Sequence, residues 1–268
     1  MNDKKISVVT VTLNSEKYLE KNIQSVKKQT YKNREHIIID GESTDRTLEI
    51  INNNLSNIDK YISEPDEGIA DAMNKGIQLS TGDYLLFLNS DDYLIDEYVL
   101  EKVASYINDK SDIYFFKVLF LYEDGRKLIS LNHGLGLLTN FKMGSCHQGQ
   151  IISRKLLLNL GLLDTNLKIN FDYDFIYRAY KSGAKYTVYN DIISVMRQVG
   201  ISSRRDWTGF KNRYDEEKMI HYKHCKQGYM YIIYKIYWLL YIPYRYIRYI
   251  MIVVNKTYIK NKTIKALQ

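Results

Sequence analysis

The sequence predicts an α/β fold, a mostly parallel sheet flanked by helices, followed by a helical, tyrosine-rich extension. Three observations point there. Short β-branched runs alternate with helical-period segments through the first half, an acidic loop follows each of the early runs, and the charge balance reverses after residue 203.

KISVVTVTL (5–13) reads as a buried strand, and Leu19, Ile23 and Val26 then recur at spacings of four and three, one apolar stripe of a helix. EHIIID (35–40) is a second strand, STDRTLEIINNN a helix from about Ser43, and KYIS (60–63) a third strand. A helix over about 67–79 and the strand DYLLFL (83–88) complete a strand-helix rhythm that demands parallel pairing and right-handed crossovers. Further on, 112–131 reads as a hairpin turning at Glu123-Asp124-Gly125. HQGQIIS (147–153) reads as a strand before a helix with Leu156, Leu157 and Leu160, and 172–183 as a helix ending at Gly183. Beyond Trp207 the pattern is helical and rich in tyrosine.

A chain of 268 residues with 45% hydrophobic content accommodates one sizeable α/β domain and an appendage. Cys146 and Cys225 lie far apart, which argues against a disulfide framework or thiolate metal site and suits a reducing cytosol. The short, β-branched N-terminal run does not read as a signal peptide, so the chain is expected to begin with its first strand. From Arg204 onward fourteen Lys/Arg oppose four Asp/Glu, leaving the preceding body slightly acidic. That body is a poor match for nucleic acid, whereas the basic tail suits an anionic partner.

In open parallel sheets ligands sit beyond the carboxyl ends of the strands. Thr12, Asn14 and Glu16 follow the first strand, Asp40 ends the second, Asp66 follows the third, and Asn89-Ser90-Asp91-Asp92 follows the fourth. Asp40 puts an acceptor-only side chain where a base or ribose would lie. Asp45 reads better as a helix-capping acid. Two adjacent acids at Asp91 and Asp92 repel unless a cation offsets them, and oxygen donors of this kind suit Mg²⁺ or Mn²⁺; a solvated turn is the alternative.

Taken together, SVVTVTLNSEKYLEKNIQSVKKQTY, IIIDGESTDRT, SEPDEGIADAMNKGI and TGDYLLFLNSDDYL resemble glycosyltransferase family 2, with its GT-A (Rossmann-like) fold, in the subgroup that builds bacterial surface polysaccharides such as capsule and lipopolysaccharide. The likeness is close over about 5–95 and weaker to about 203. It implies a donor-base contact at Asp40, a nucleotide pocket including Thr12, Asn14 and Glu16, and a metal motif at Asn89-Ser90-Asp91-Asp92. Asn89 stands where the family motif has its first acid, so Mn²⁺ or Mg²⁺ would rest on Asp91 and Asp92. Asp66 would position the sugar or diphosphate, or else cap a helix. Counting back from Arg178, Asp172 falls at the family's general base, with Asp174 as second candidate and Phe171 in place of the usual glutamate. His147 and Gln148 fall on the acceptor side.

The expected protein is an inverting glycosyltransferase that takes a nucleotide-diphosphate sugar, a UDP-sugar first, to a glycan or polyprenyl-linked acceptor. Domain 1–203 would be catalytic, split into a nucleotide-sugar half (1–95) and an acceptor half (96–203), and 204–268 a basic aromatic extension. Residues 229–254 are long enough to cross a bilayer, but Lys235, Pro243, Arg245 and Arg248 interrupt them, and their tyrosines and cations suit an anionic membrane surface. This places the enzyme in the cytoplasm, peripheral on the inner face of a bacterial plasma membrane; helices packed on protein are the alternative. His221 and His224 read as a surface pair rather than a metal site. A catalytically inactive nucleotide-sugar-binding or scaffold protein is the rival from another class; a nucleotidyltransferase lacks its glycine-rich phosphate loop in TLNSEK.

Overall fold

The computed structural model of the chain describes residues 4–108, 110–199 and 206–266, with side chains to 254. β1 (Ile6–Thr12), β2 (Arg34–Asp40), β3 (Lys60–Ser63) and β4 (Tyr84–Phe87) pair in parallel in the order β3-β2-β1-β4. All of β1 and β4 is buried, as a strand covered on both faces requires. The helices α1 (Leu19–Lys27), α2 (Thr47–Asn53) and α3 (Ile69–Leu79) make the crossovers. α1 buries Leu19, Ile23 and Val26, the stripe read from the sequence, and adds Asn22. α3 starts at Ile69 rather than 67, because Gly68 adopts φ 125° immediately before it. Gly76 lets α3 lie directly on Val9, where any Cβ would collide with that side chain.

The second half completes the sheet. β5 (Tyr93–Leu94), α4 (Val99–Tyr106), β6 (Ile113–Leu121), β7 (Lys127–Ile129), β8 (Gln150–Ser153), α5 (Arg154–Asn159), α6 (Phe171–Lys181) and β9 (Tyr186–Arg197) follow in order. The sheet continues from β4 through β8, β6 and β9 to β5, with β7 pairing β6 in the expected hairpin. His147–Gly149 form a 3-10 turn, so the strand expected from 147 starts only at Gln150.

β9 is the main element that the sequence pattern hides. Asn190 and Asp191 interrupt its apolar pattern where they occupy a register shift against β6, and the Asp191 carboxylate accepts from Lys102 Nζ and Tyr106 Oη, both at 3.1 Å. The ring of Tyr189 beside them stacks on Tyr106 with centroids 4.0 Å apart.

The chain divides into two compact units, Met1–Gly200 and Ile201–Gln268. The expected boundary between 203 and 204 lies outside the described residues. In the second unit α7 (Trp207–His224) and α8 (Tyr229–Ala266) form a helical hairpin, with Trp207 against Tyr246, Tyr214 against Tyr241, and His221 against Tyr234. Asp206 caps α7 by accepting from the Gly209 amide at 3.0 Å. His221 is buried, not a surface residue: Nδ1 accepts from Trp238 Nε1 at 3.0 Å, and the ring stacks on Tyr234. α8 leaves Ile232, Ile236, Leu239, Leu240, Ile247 and Met251 exposed. Among the described residues no helix is long and apolar enough to cross a membrane.

Candidate active site

The carboxyl ends of β1, β2 and β4 meet, and a polar lattice joins their loops. The Ser90 amide donates to Val11 O at 3.2 Å, the Ser15 and Ser90 hydroxyls lie 2.7 Å apart, and the Gly41 amide donates to Thr12 O at 2.9 Å. Asp40, fully buried, accepts from the Ser43 amide and hydroxyl and from the Ser63 hydroxyl at 2.7 Å. Ser43 Oγ in turn accepts from the Asn14 amide at 2.8 Å, and Asn14 Oδ1 accepts from the Thr44 amide at 2.9 Å. Asn14 has φ 48°, a left-handed conformation that asparagine tolerates. Glu16 accepts from the Arg46 amide, and Asp45 accepts from the Glu16 and Thr47 amides, the latter in the first turn of α2. Asn14 and Glu16 thus spend hydrogen bonds tying two loops together. The buried Thr12 hydroxyl, by contrast, has no partner among the described residues.

Asp66 accepts from the Gly68 amide at 2.8 Å, and its Oδ2 lies 2.6 Å from where a Cβ on residue 41 would stand. Gly41 therefore opens the space into which Asp66 turns.

Asn22 of α1 sets the loop after β4. Its Nδ2 donates to the carbonyls of Asn89 and Asp92 at 2.9 and 3.0 Å, with Leu88 O at 3.4 Å. Its Oδ1 accepts from Thr10 Oγ1 at 3.1 Å, and His36 Nε2 lies 3.0 Å from that hydroxyl. The Thr10 proton points to Asn22, so the His36 proton sits on Nε2 and points to Thr10.

The two adjacent acids do different work. Burial raises the Asp91 carboxyl above the ordinary carboxylate range. Burial, and then the charge of Asp91, push Asp92 well above it. Asp92 is 1% exposed, and each oxygen is taken: Gln148 Nε2 donates to Oδ2 at 2.7 Å and the Arg197 amide to Oδ1 at 2.9 Å. Asp92 and Gln148 were expected at a metal and on the acceptor side respectively; the geometry makes them a buried pair that fixes the loop, because neither can turn outward without orphaning the other.

Asp91, beside Asn89, is half-buried and near enough to His147 and Arg197 for their charges to act on its carboxyl. Among the described residues no three His, Cys, Asp or Glu side chains converge on a metal position. The donor set fits an oxygen-binding divalent ion only as a site shared with a ligand's own oxygens.

Across the cleft, the first turn of α6 presents Asp172. Its Oδ2 lies 3.3 Å from His147 Nδ1, and Oδ1 accepts from the Tyr173 amide at 2.8 Å. His147 Nε2 lies 3.4 Å from Asn89 Oδ1, so one imidazole spans the gap between α6 and the loop after β4. Met73, Phe87, Phe171 and Phe175 line the apolar cavity beneath this pair. Asp174 points the other way. It is 0% exposed and accepts from Arg178 Nε at 2.8 Å, while that guanidinium also donates to the carbonyls of Leu160 and Leu162. Asp174 is therefore corrected from second base candidate to a buried anchor for the turn at Gly161-Leu162.

Asn22 and Arg197 were not singled out in the sequence. Asn22 carried a signal, a polar residue inside the apolar stripe of α1. Arg197 had none, since the strand that carries it was not foreseen.

Residues 7–158 match the family described as Glycosyl transferase family 2. A PGL/p-HBAD biosynthesis glycosyltransferase of Mycobacterium bovis is 30% identical over 213 residues, 77% of this chain and 78% of that protein. S. aureus TarS superposes with a TM-score of 0.63 at 23% identity, over 81% of this chain and 64% of that one, so the chain spans less than two thirds of it. The mannosyltransferase PcManGT from Pyrobaculum calidifontis, solved with GDP-Man and Mn²⁺, gives 0.65 at 15% identity, over 90% and 71%. The structural likenesses show the GT-A fold, and the family match covers more than half of the sequence. The chain belongs to glycosyltransferase family 2.

Proposed function

We propose that this glycosyltransferase moves a sugar, with inversion, from a nucleotide-diphosphate sugar to a hydroxyl of a glycan or polyprenyl-linked acceptor in surface polysaccharide assembly. The observation that carries the reading is the His147 imidazole, which brings Asp172 opposite the loop of Asn89 and Asp91. A base on one side of a cleft and a diphosphate site on the other is the arrangement that an in-line displacement needs. Asp172 takes the acceptor proton. Thr12 holds the nucleoside end through its hydroxyl, unpartnered among the described residues, Asp40 shapes that pocket from beneath by fixing Ser43 and Ser63, and Asp66 holds the sugar. TarS has been solved in complex with UDP-GlcNAc, which supports a UDP-sugar as the first donor to test.

Mn²⁺ or Mg²⁺, when bound, would be held by Asp91 with oxygens of the diphosphate, and would offset negative charge on the leaving group. Residues 1–203 serve as the catalytic domain. Residues 204–268 hold it at an anionic membrane surface on the cytoplasmic side, through the exposed apolar side chains of α8 and its basic neighbours.

Titration calorimetry with UDP, GDP and dTDP, with and without Mn²⁺, on the wild type and on Asp40→Ala and Asp91→Ala, tests the donor site. Binding of one nucleotide that both substitutions weaken supports it. Binding of none removes it, and donor that is never hydrolysed or transferred would leave a binding protein.

A further inference from the structure

Arg197 ends β9 at the edge of the cleft, and its amide is one of the two donors that fix Asp92. Its guanidinium carbon lies 5.0 Å from the ring centroid of Tyr18 and 5.3 Å from that of Tyr93. Tyr18 immediately precedes α1 and Tyr93 lies in β5, so rings from two separate segments lie within cation–π reach of the guanidinium. Lys21 Nζ adds a second positive charge 3.6 Å from the centroid of Tyr93.

Among the described residues the Arg197 guanidinium has no hydrogen bond or ion pair, and its Nε is both buried and unpartnered. A guanidinium carries five N–H donors, and an unmet one that is buried, as Nε is, is costly unless a ligand supplies an acceptor. The nearby acids do not supply them. Asp92 has both oxygens engaged elsewhere, and Asp91, although close enough for its carboxyl to feel the charge of Arg197, forms no salt bridge with it. The missing partner is an anion rich in oxygen that reaches the cleft beside Asp91. A diphosphate offers the planar fork of arginine paired oxygens that it can meet bidentately.

We propose that Arg197 binds the donor's diphosphate and stabilises it as the leaving group, sharing with Asp91 a task that an acid at position 89 would otherwise support through a more tightly held cation. This rests on the nucleotide-sugar reading above. In the transfer, the acceptor oxygen forms its bond to the anomeric carbon while its proton passes to Asp172. The bond from that carbon to the diphosphate breaks, and its electron pair stays on the departing oxygen, to which Arg197 donates hydrogen bonds without giving up a proton. The tyrosine pair keeps the fork aimed before the donor arrives.

The test is titration of the full chain with UDP and UMP, in Mn²⁺ and in EDTA, for the wild type, Arg197→Gln and Arg197→Lys. The expected result is a wild-type preference for UDP over UMP that survives in EDTA. In Arg197→Gln the UDP affinity falls by about tenfold to a hundredfold while UMP binding changes much less, and Arg197→Lys recovers part of the loss. A UDP affinity that Arg197→Gln leaves unchanged would overturn the proposal. So would a parallel fall for UDP and UMP, since that marks a structural role through Asp92. Failure of UDP to bind the wild type at all would overturn the UDP-donor reading, and this proposal with it.

Discussion

His147 Nδ1 lies 3.3 Å from Asp172 Oδ2, and the opposite edge of the same ring lies 3.4 Å from Asn89 Oδ1. A neutral imidazole donates from one nitrogen only, so a proton on Nδ1 leaves Nε2 as an acceptor, which the Asn89 amide can satisfy by presenting its NH₂ group. An aspartate at position 89 has no proton to offer in that arrangement. The asparagine and the histidine therefore form one design. Asp172→Asn is expected to lower the transfer rate by about a hundredfold to ten-thousandfold with donor affinity kept. His147→Ala is expected to lower kcat less, also with donor affinity kept. Steady-state kinetics beside calorimetry checks both, and a donor affinity that falls with kcat would point to a collapsed site instead.

Asn22 holds the loop after β4 from below. Asn22→Ala strips the Asn89 and Asp92 carbonyls of a buried donor, at a cost of about 2–4 kcal/mol. Urea denaturation measures the loss. Asn22→Asp is expected to fare no better, since a carboxylate cannot donate to those carbonyls.

Gly41→Ala would set a methyl group 2.6 Å from Asp66 Oδ2. The side chain of Asp66 is half-buried and can turn away, so the expected outcome is a folded protein, with an unshifted melting temperature, whose KM for donor rises by roughly tenfold. An unchanged KM would show that Asp66 does not contact the donor.

Acid weakens the fold through two buried neighbours. Burial first, and then the charge of Arg34, lower the His36 pKa from 6.5 to about 3. Burial would raise Glu35, but hydrogen bonds from Ser7, Thr81 and Lys5 outweigh it and lower its pKa from 4.5 to about 2. In both cases the unfolded chain binds the proton more readily, so this stability is present at neutral pH and is lost as the pH falls. His36 contributes a slope of up to about 1.4 kcal/mol per pH unit below pH 6.5, and Glu35 adds its own below about 4.5. Urea midpoints at pH 7 and pH 5 read the His36 part, and His36→Gln is expected to flatten the difference.

The first four strands were legible because β1 and β2 carry β-branched runs, β4 is continuously apolar, and each of the four ends in a polar loop. Those loops also made Asp40, Asp66 and Asp91 visible as candidates. Asp92 could not be told from Asp91 in sequence, because which of two neighbours turns inward depends on a glutamine 56 residues away and an amide 105 residues away. β9 was hidden by its bulge at Asn190-Asp191, and Arg197 was hidden with it. Asp174 was misread because its partner Arg178 marks an ordinary helical pair as readily as a catalytic motif.

The acidic loop is synthesised long before the residues that enclose it. Gln148 and Arg197, the two partners of Asp92, leave the ribosome only after β1 to β4 have been made, and β9 is the last strand of the first unit to be made. A nascent chain that has reached β4 thus carries its acids wet and freely charged. The loop around Asp92 is complete only when β9 lies beside β6, so a prematurely released chain lacks one of the two groups that fix that loop as well as its final strand.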